Sequence, residues 1–413
     1  MTARGGESGV ANRERRKEDL GMELDRLPTR DSPPLSSRPV HFSKPLPPRS
    51  NMRRLIPLLA LATAPLHAQA APPDWKHAAA TGDFTMRDFH FADGESLPAL
   101  RIHYATLGRP QRDGAGHVRN AVLVLHGTTG SGDGFLTPSF AGELFGPGQP
   151  LDSATHFIIL PDGIGTGRSS RPSEGMHARF PRYGYADMVE AQHRLVTEGL
   201  HVDHLRLVIG TSMGGMQTWM WGERWPAMMD ALVPLASVPT QIAGRNRMMR
   251  RMVSDAIRGD PEWNGGDYAA APHGLYAALE MLFMMTSSPL TQQHLAPTRD
   301  SADAYITRWM RARMATTDAN DFLYQFEASG DYDPSAALER ITAPVLAISS
   351  ADDLVNPPEL GLMEALMPRV RHGRYVLIPT SERTRGHGTH SLPAIWKPYL
   401  IELLAGLRRT AAR

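Results

Sequence analysis

The five residues Gly210-Thr211-Ser212-Met213-Gly214 restrict the fold of this chain more than any other feature of its sequence. Before them runs Leu205-Arg206-Leu207-Val208-Ile209, an apolar, β-branched stretch that reads as a strand. After them, residues 213–225 read as a helix that stops before Pro226. A serine with glycine two residues to either side, at a strand-to-helix junction, makes a sharp turn that lifts its hydroxyl off the end of the strand. Larger residues at 210 and 214 would collide with adjacent backbone. The helix that follows aims its first N–H groups at the same point, where they favour negative charge.

The rest of the chain extends this strand–turn–helix unit into an α/β fold. Further strand-like runs lie at 101–106, 121–125, 157–160, 231–235, 345–349 and 375–378. Those beyond residue 120 are nearly continuous apolar runs, the pattern of strands covered on both faces in a parallel sheet. Helical spacing at 185–199, 359–366 and 392–407 alternates with them, which predicts a mostly parallel, doubly wound sheet. Residues 245–338 break the alternation: they hold no good strand and are rich in Met, Arg and Ala. This segment reads as a helical lid inserted between two parts of one core, 71–244 and 339–413, and set over the sheet edge where such folds bind ligands. Apolar residues make up 41% of the chain, enough for a sizeable core, and 44 basic side chains nearly balance 43 acidic ones. That balance gives no footprint for nucleic acid, so the expected partner is a small ester or acyl compound. The chain has no cysteine, which excludes disulfides, thiolate catalysis and Cys-ligated zinc. No metal or cofactor is expected, and the sequence leaves open whether the protein is a homodimer.

A serine is a weak nucleophile until a base, itself oriented by an acid, takes its proton. In chain order the acid follows the serine and the histidine comes last. After the lid stands Ser349-Ser350-Ala351-Asp352-Asp353-Leu354-Val355-Asn356-Pro357. Its spacing of four to Pro357 favours Asp353 as the acid, with Asp352 as a turn-capping residue. Gly386-His387-Gly388-Thr389-His390 follows the last strand, and the flexible Gly386 favours His387 over His390 as the base. An oxyanion needs two backbone donors. One is expected from Met213, the other from Thr128 in the His126-Gly127-Thr128-Thr129-Gly130 turn after the 121–125 strand. His126 itself reads as structural.

Residues 210–217, Gly-Thr-Ser-Met-Gly-Gly-Met-Gln, match a G-x-S-M-G-G-M-Q elbow. In the lid, Asp260-Pro261-Glu262-Trp263-Asn264-Gly265-Gly266-Asp267-Tyr268 matches D-P-x-W-x-G-G-x-Y. Phe180-Pro181, Asp187-Met188-Val189, the turn 353–357 and Gly386-His387-Gly388 add to the pattern. On these motifs the chain, over roughly residues 95–405, resembles the homoserine O-acetyltransferases, which have the α/β-hydrolase fold. The resemblance implies a ping-pong reaction in which Ser212 takes an acyl group, His387 shuttles the proton and an acceptor hydroxyl collects the acyl. It also implies an arginine in the first lid helix that holds a substrate carboxylate. Ungapped alignment on Asp260-Pro261 puts Ser254 there, with Arg250 and Arg251 one turn earlier.

The N-terminal region points to export. Met52-Arg53-Arg54, the apolar run 55–66 and Ala68-Gln69-Ala70 form a secretory signal peptide over 52–70. Its core is too short to span a bilayer of roughly 30 Å. Residues 1–51, rich in Pro, Ser, Arg and Glu, read as a disordered extension or as sequence upstream of the true start at Met52. A periplasmic or secreted enzyme lies apart from cytosolic acetyl-CoA and homoserine. The expected activity is therefore an exported esterase or acyl hydrolase on this scaffold, with O-acyl transfer from acetyl-CoA to homoserine or a related alcohol as the second reading. N-terminal sequencing of the exported protein should begin near Ala71; a mature end near residue 1 would overturn the leader.

Overall fold

The computed structural model describes residues 74–411; the 1–51 extension and the 52–70 leader lie outside them. Eight strands form one sheet in the order β1-β2-β4-β3-β5-β6-β7-β8. They are β1 (Ala80–His90), β2 (Ser96–Leu107), β3 (Ala121–Leu125), β4 (Phe157–Pro161), β5 (Leu207–Thr211), β6 (Leu232–Leu235), β7 (Val345–Ser350) and β8 (Gly373–Ile378). The β1–β2 and β2–β4 pairs are antiparallel, and β4, β3, β5, β6, β7 and β8 run parallel.

Burial on both faces explains why the central strands read as unbroken apolar runs. Along β3, Leu123 and Leu125 face one core, which holds Trp219 and Trp221. Val122 and Val124 face another, which holds Phe140, Phe145 and Trp396. Every residue of β3, β4 and β5 is buried. By contrast β1, which the sequence reading missed, buries only Met86 and Phe89 along its length. It is an edge strand with water on both sides, so it carries neither a continuous nor an alternating apolar signal.

In chain order the helices are α1 (Trp75–Ala78), α2 (Ala141–Leu144), α3 (Tyr185–Arg194), α4 (Met213–Arg224), α5 (Gly244–Arg258), α6 (His273–Thr286), α7 (Pro289–Leu295), α8 (Arg299–Met314), α9 (Ala319–Glu327), α10 (Leu362–Leu366) and α11 (Pro393–Ala411). The helix expected over 359–366 is broken: Gly361, at φ 63°, separates a short 3₁₀ turn from α10. Between β6 and β7 the chain is entirely helical or irregular, α5 to α9. These helices bury their own core around Val253, Ile257, Leu275, Leu279 and Phe322. The motif at 260–268 staples that core. Trp263 is buried and donates from Nε1 to Asn320 Oδ1 at 2.8 Å. Asn264, Gly265 and Gly266 turn the chain through three positive φ values, and the Tyr268 hydroxyl donates to Asp318.

The turn after β5 is tight. Ser212 has φ 54° and ψ −111°, outside the comfortable region for an L-residue. A Cβ at Gly210 would stand 2.0 Å from the Gly214 carbonyl oxygen, and one at Gly214 would stand 2.1 Å from that of Leu125. Neither obstacle is a flexible side chain, so the backbone itself would have to move. Gly214→Ala should therefore destabilise the protein by about 1–3 kcal/mol or more. Denaturant unfolding would read the change, and a variant as stable as wild type would contradict this account of the turn.

Candidate active site

Three segments far apart in sequence meet above the C-terminal ends of β5, β7 and β8. Strain at Ser212 aims its hydroxyl out of the sheet, and His387 Nε2 accepts a hydrogen bond from Ser212 Oγ at 2.8 Å. His387 Nδ1–H donates to Asp353 Oδ2 at 2.8 Å, because an ionised carboxylate can only accept. The other oxygen of Asp353 accepts from the backbone of Val355 (2.8 Å) and Asn356 (3.2 Å). Asp353 is 1% exposed. Burial alone would raise its pKa, but His387 and the two N–H donors pull harder, so the carboxyl lies below its ordinary value and stays ionised.

The adjacent aspartate has different work. Asp352 accepts from the Gly386 N–H at 2.9 Å, from Thr384 Oγ1 at 3.0 Å and from Ser288 Oγ at 3.2 Å, and it also takes the Ser350 hydroxyl. It thus ties the loop that carries His387 to β7 and to the junction of α6 and α7. Gly386 needs its left-handed φ of 57° there, with the Asp352 and Ser287 carbonyls 3.1 Å from where a Cβ would be. The sequence reading assigned Asp352 a local turn cap and missed this longer reach.

His390 does not touch Ser212 or Asp353. Its ring stands edge-on to His387 at 5.2 Å and its Nδ1 bonds Ser391 Oγ at 3.0 Å. Burial, and then repulsion from His387, push its pKa down to about 3. His126 is also held neutral, chiefly by burial. Its Nδ1–H donates to the Gly127 carbonyl at 2.8 Å while Nε2 accepts from the Gly163 N–H at 2.9 Å. His126 therefore shapes the turn after β3 from within. That turn lies against the serine, since a Cβ at Gly127 would be 3.4 Å from Ser212 Cβ. Thr128 and Ser212 line the same cleft. Met213 opens α4, so its N–H has no partner four residues back in the helix.

The cleft above Ser212 has a volume of ≈ 440 Å³. Phe135 and Phe140 wall it from the sheet side, and Met249, Leu282, Phe326 and Val355 close it from the lid and the acid loop. Of the run at 281–285, Leu282 reaches the cleft, whereas Met285 is buried in the lid core and Met284 is 64% exposed. One charged side chain from the lid enters it. Arg250 of α5 is 4% exposed, and its hydrogen-bond partners are neutral: Nε donates to Asn246 Oδ1 at 3.1 Å and Nη1 to Ser329 Oγ at 3.2 Å. Its guanidinium lies 5.5 Å from the Phe326 ring centre. Ser254 lies elsewhere, on a separate hollow between α5 and α9, and Arg251 is an exposed partner of Asp255. The alignment by sequence register thus pointed one turn away from the cation that faces the serine. Among the described residues, no group of three His, Asp or Glu side chains could hold a metal ion.

Comparison with known proteins agrees with this architecture. The model of the α/β-hydrolase fold family matches residues 120–382. A homoserine O-acetyltransferase from Moorella thermoacetica is 30% identical over 363 residues, covering 76% of this chain and 94% of that protein. Two solved structures share the fold. Homoserine O-acetyltransferase from Bacillus anthracis has a TM-score of 0.69 at 22% identity, covering 79% of this chain and 97% of that one. An acetylester hydrolase from Corynebacterium glutamicum has a TM-score of 0.68 at 21% identity, covering 79% and 95%. With a sheet, lid and elbow of this kind, the chain belongs to the α/β-hydrolase fold family, among its homoserine O-acetyltransferase-like members, and is an acyl-transfer enzyme.

Proposed function

We propose that Ser212, His387 and Asp353 form a catalytic triad that cleaves an ester through an acyl-serine intermediate, and that the enzyme acts outside the cytoplasm as an esterase. The observation that carries this reading is the unbroken hydrogen-bond chain from Ser212 Oγ through His387 to a buried, ionised Asp353, opening onto an apolar cleft. His387 Nε2 takes the serine proton as Oγ attacks the ester carbonyl. The oxygen that becomes negative is held by the N–H groups of Met213 and Thr128. As the tetrahedral intermediate collapses, His387 returns that proton to the leaving alcohol. A second acceptor then repeats the cycle: His387 removes its proton, it attacks the acyl carbon, and Ser212 leaves with the proton. Water as that acceptor gives a hydrolase, and the leader at 52–70 supports water by separating the enzyme from cytosolic acyl donors.

A specific observation keeps the second reading, transfer to an alcohol. Arg250 is a buried cation without a carboxylate among its hydrogen-bond partners, in the cleft that holds Ser212. An acceptor that brings its own carboxylate, as homoserine does, would supply the missing charge. Purified enzyme given simple esters and acetyl-CoA, with and without homoserine, separates the two. Faster formation of O-acetylhomoserine than of hydrolysis products would replace the esterase reading.

Ser212→Ala and His387→Ala should each lower kcat by roughly 10³- to 10⁶-fold, and Asp353→Asn by about 10⁴-fold. A His387→Ala enzyme that keeps its activity while His390→Ala loses it would move the base to His390. The neutral His390 also sets a pH dependence. Its folded pKa, about 3, lies below its ordinary value of about 6.5, so in that window the unfolded chain binds a proton that the folded protein does not. Its contribution to stability is therefore present above the window and lost as pH falls through it. His390→Asn should flatten the fall of Tm between about pH 6 and pH 4. An unchanged slope would mean that His390 is not held neutral.

A further inference from the structure

A second cavity of ≈ 270 Å³ adjoins the turn after β3, and Thr129 and Gly130 line both it and the Ser212 cleft. Two arginines enter it, and each has a buried Nε–H that reaches no acceptor. Arg171 has partial compensation: Nη1 donates to the Gly167 carbonyl at 2.8 Å, and Glu174 and Asp321 stand 3.8 and 3.9 Å from its Nε. Arg313, from α8 of the lid, has no counter-charge. Among the described residues no carboxylate lies within ion-pair distance of it. Among the described residues its guanidinium has a single hydrogen-bond partner, Thr129 Oγ1 at 3.4 Å, and lies 5.6 Å from the Trp309 ring centre.

Neither acid of the cavity pairs with Arg313. Asp318 accepts from the N–H groups of Asn320 and Asp321 and from the Tyr268 hydroxyl. Asp321 accepts from the N–H and hydroxyl of Ser173, at 2.8 and 2.7 Å, and burial pushes its pKa up to about 6. A partly buried guanidinium with an unmet donor and no counter-charge is costly unless an anion completes it.

We propose that this cavity binds an anionic group of the substrate, a carboxylate or phosphate, with Arg313 as its main donor, while the ester lies across the Thr129–Gly130 wall at Ser212. The proposal rests on Ser212 being the reacting group. It defines the substrate as an ester that carries an oxyanion remote from the scissile bond, on either its acyl or its alcohol side.

Two measurements on the whole protein test it. Calorimetric titration with succinate and with inorganic phosphate reads the cavity without any reaction. Wild type and Ser212→Ala should bind at least one of these anions, and Arg313→Gln should lose that binding. No binding, equal binding in Arg313→Gln, or loss in Arg250→Gln alone would overturn the proposal. Binding that depends on Arg313 in a protein whose Ser212 never reacts with a fluorophosphonate would instead sink the triad and leave the anion site standing. Kinetics then locate the charge on the substrate. p-Nitrophenyl hemisuccinate is compared with its methyl ester for the acyl side, and p-acetoxybenzoate with its methyl ester for the alcohol side. In Arg313→Gln the anionic-to-neutral ratio of kcat/KM should fall about 10-fold or more on one arm, the scale of a lost charge-assisted hydrogen bond. The falling arm names the side that carries the anion. Ratios within about twofold of wild type on both arms would overturn the proposal.

Discussion

The active region depends on one strained residue. Ser212 is held at φ 54° because everything around it leaves the backbone no alternative: β5 runs straight into the turn, α4 starts immediately after it, and the carbonyls of Gly214 and Leu125 press where side chains at 210 and 214 would be. Strain of this kind persists only when the surrounding structure over-determines it. Here two buried tryptophans anchor α4, Trp219 by a bond to Ser237 just after β6 and Trp221 by a bond to Gln192 of α3, and the all-buried strands β3 and β5 flank the turn. The stability of the core thus holds a hydroxyl in a position that a relaxed turn would not give it.

The paired aspartates show how the same physics assigns two roles to neighbours. Both belong to the turn after β7, yet their carboxyls leave in different directions. Asp353 is sealed from water and has the imidazole of His387 as its side-chain partner, so its charge is felt by that ring in a medium of low polarity. Asp352 spends its oxygens on hydroxyls and the Gly386 N–H, fixing the backbone from which His387 projects. One carboxylate orients the ring electrostatically, and the other sets where the ring begins. His390, in turn, can sit close to His387 because it remains neutral: an imidazolium at 5.2 Å would repel any proton taken up by His387.

Sequence pattern revealed what burial and backbone sterics dictate. The β3, β5 and β7 strands, the elbow and the helical segment after β6 all follow from such local rules. The strand β1 escaped because its partner contacts come from β2 alone and both its faces are largely wet, so no apolar period marks it. The break at Gly361 escaped because the apolar spacing of 359–366 continues across it. Register left Arg250 and Arg251 undecided beside Ser254: alignment carries a position along a helix, while the direction of a long side chain depends on what packs beneath it, here Phe326 and Ser329. The reach of Asp352 into three segments, and the convergence of Arg171 and Arg313 on one cavity, are tertiary facts with no local signature.

Reactivity and selectivity are built from different parts of this molecule. The floor of the cleft is the C-terminal edge of the sheet, and around Ser212 the backbone packs so closely that no side chain fits at 210 or 214. The roof is made by α5, α6 and α9, which share a core around Val253, Leu279 and Phe322 and meet the rest of the molecule through polar ties such as Arg245 to the Leu354 carbonyl and Ser288 to Asp352, and through apolar contacts of Val355 and Tyr324. A substitution in the roof can change which groups face Ser212 without disturbing the elbow. The two arginines most in want of an anion, Arg250 and Arg313, both come from the lid and line the two cavities that adjoin the turn after β3. Ser212 thus belongs to the sheet layer and the unmatched charges to the lid, so exchanging lid residues alone changes the charges around it.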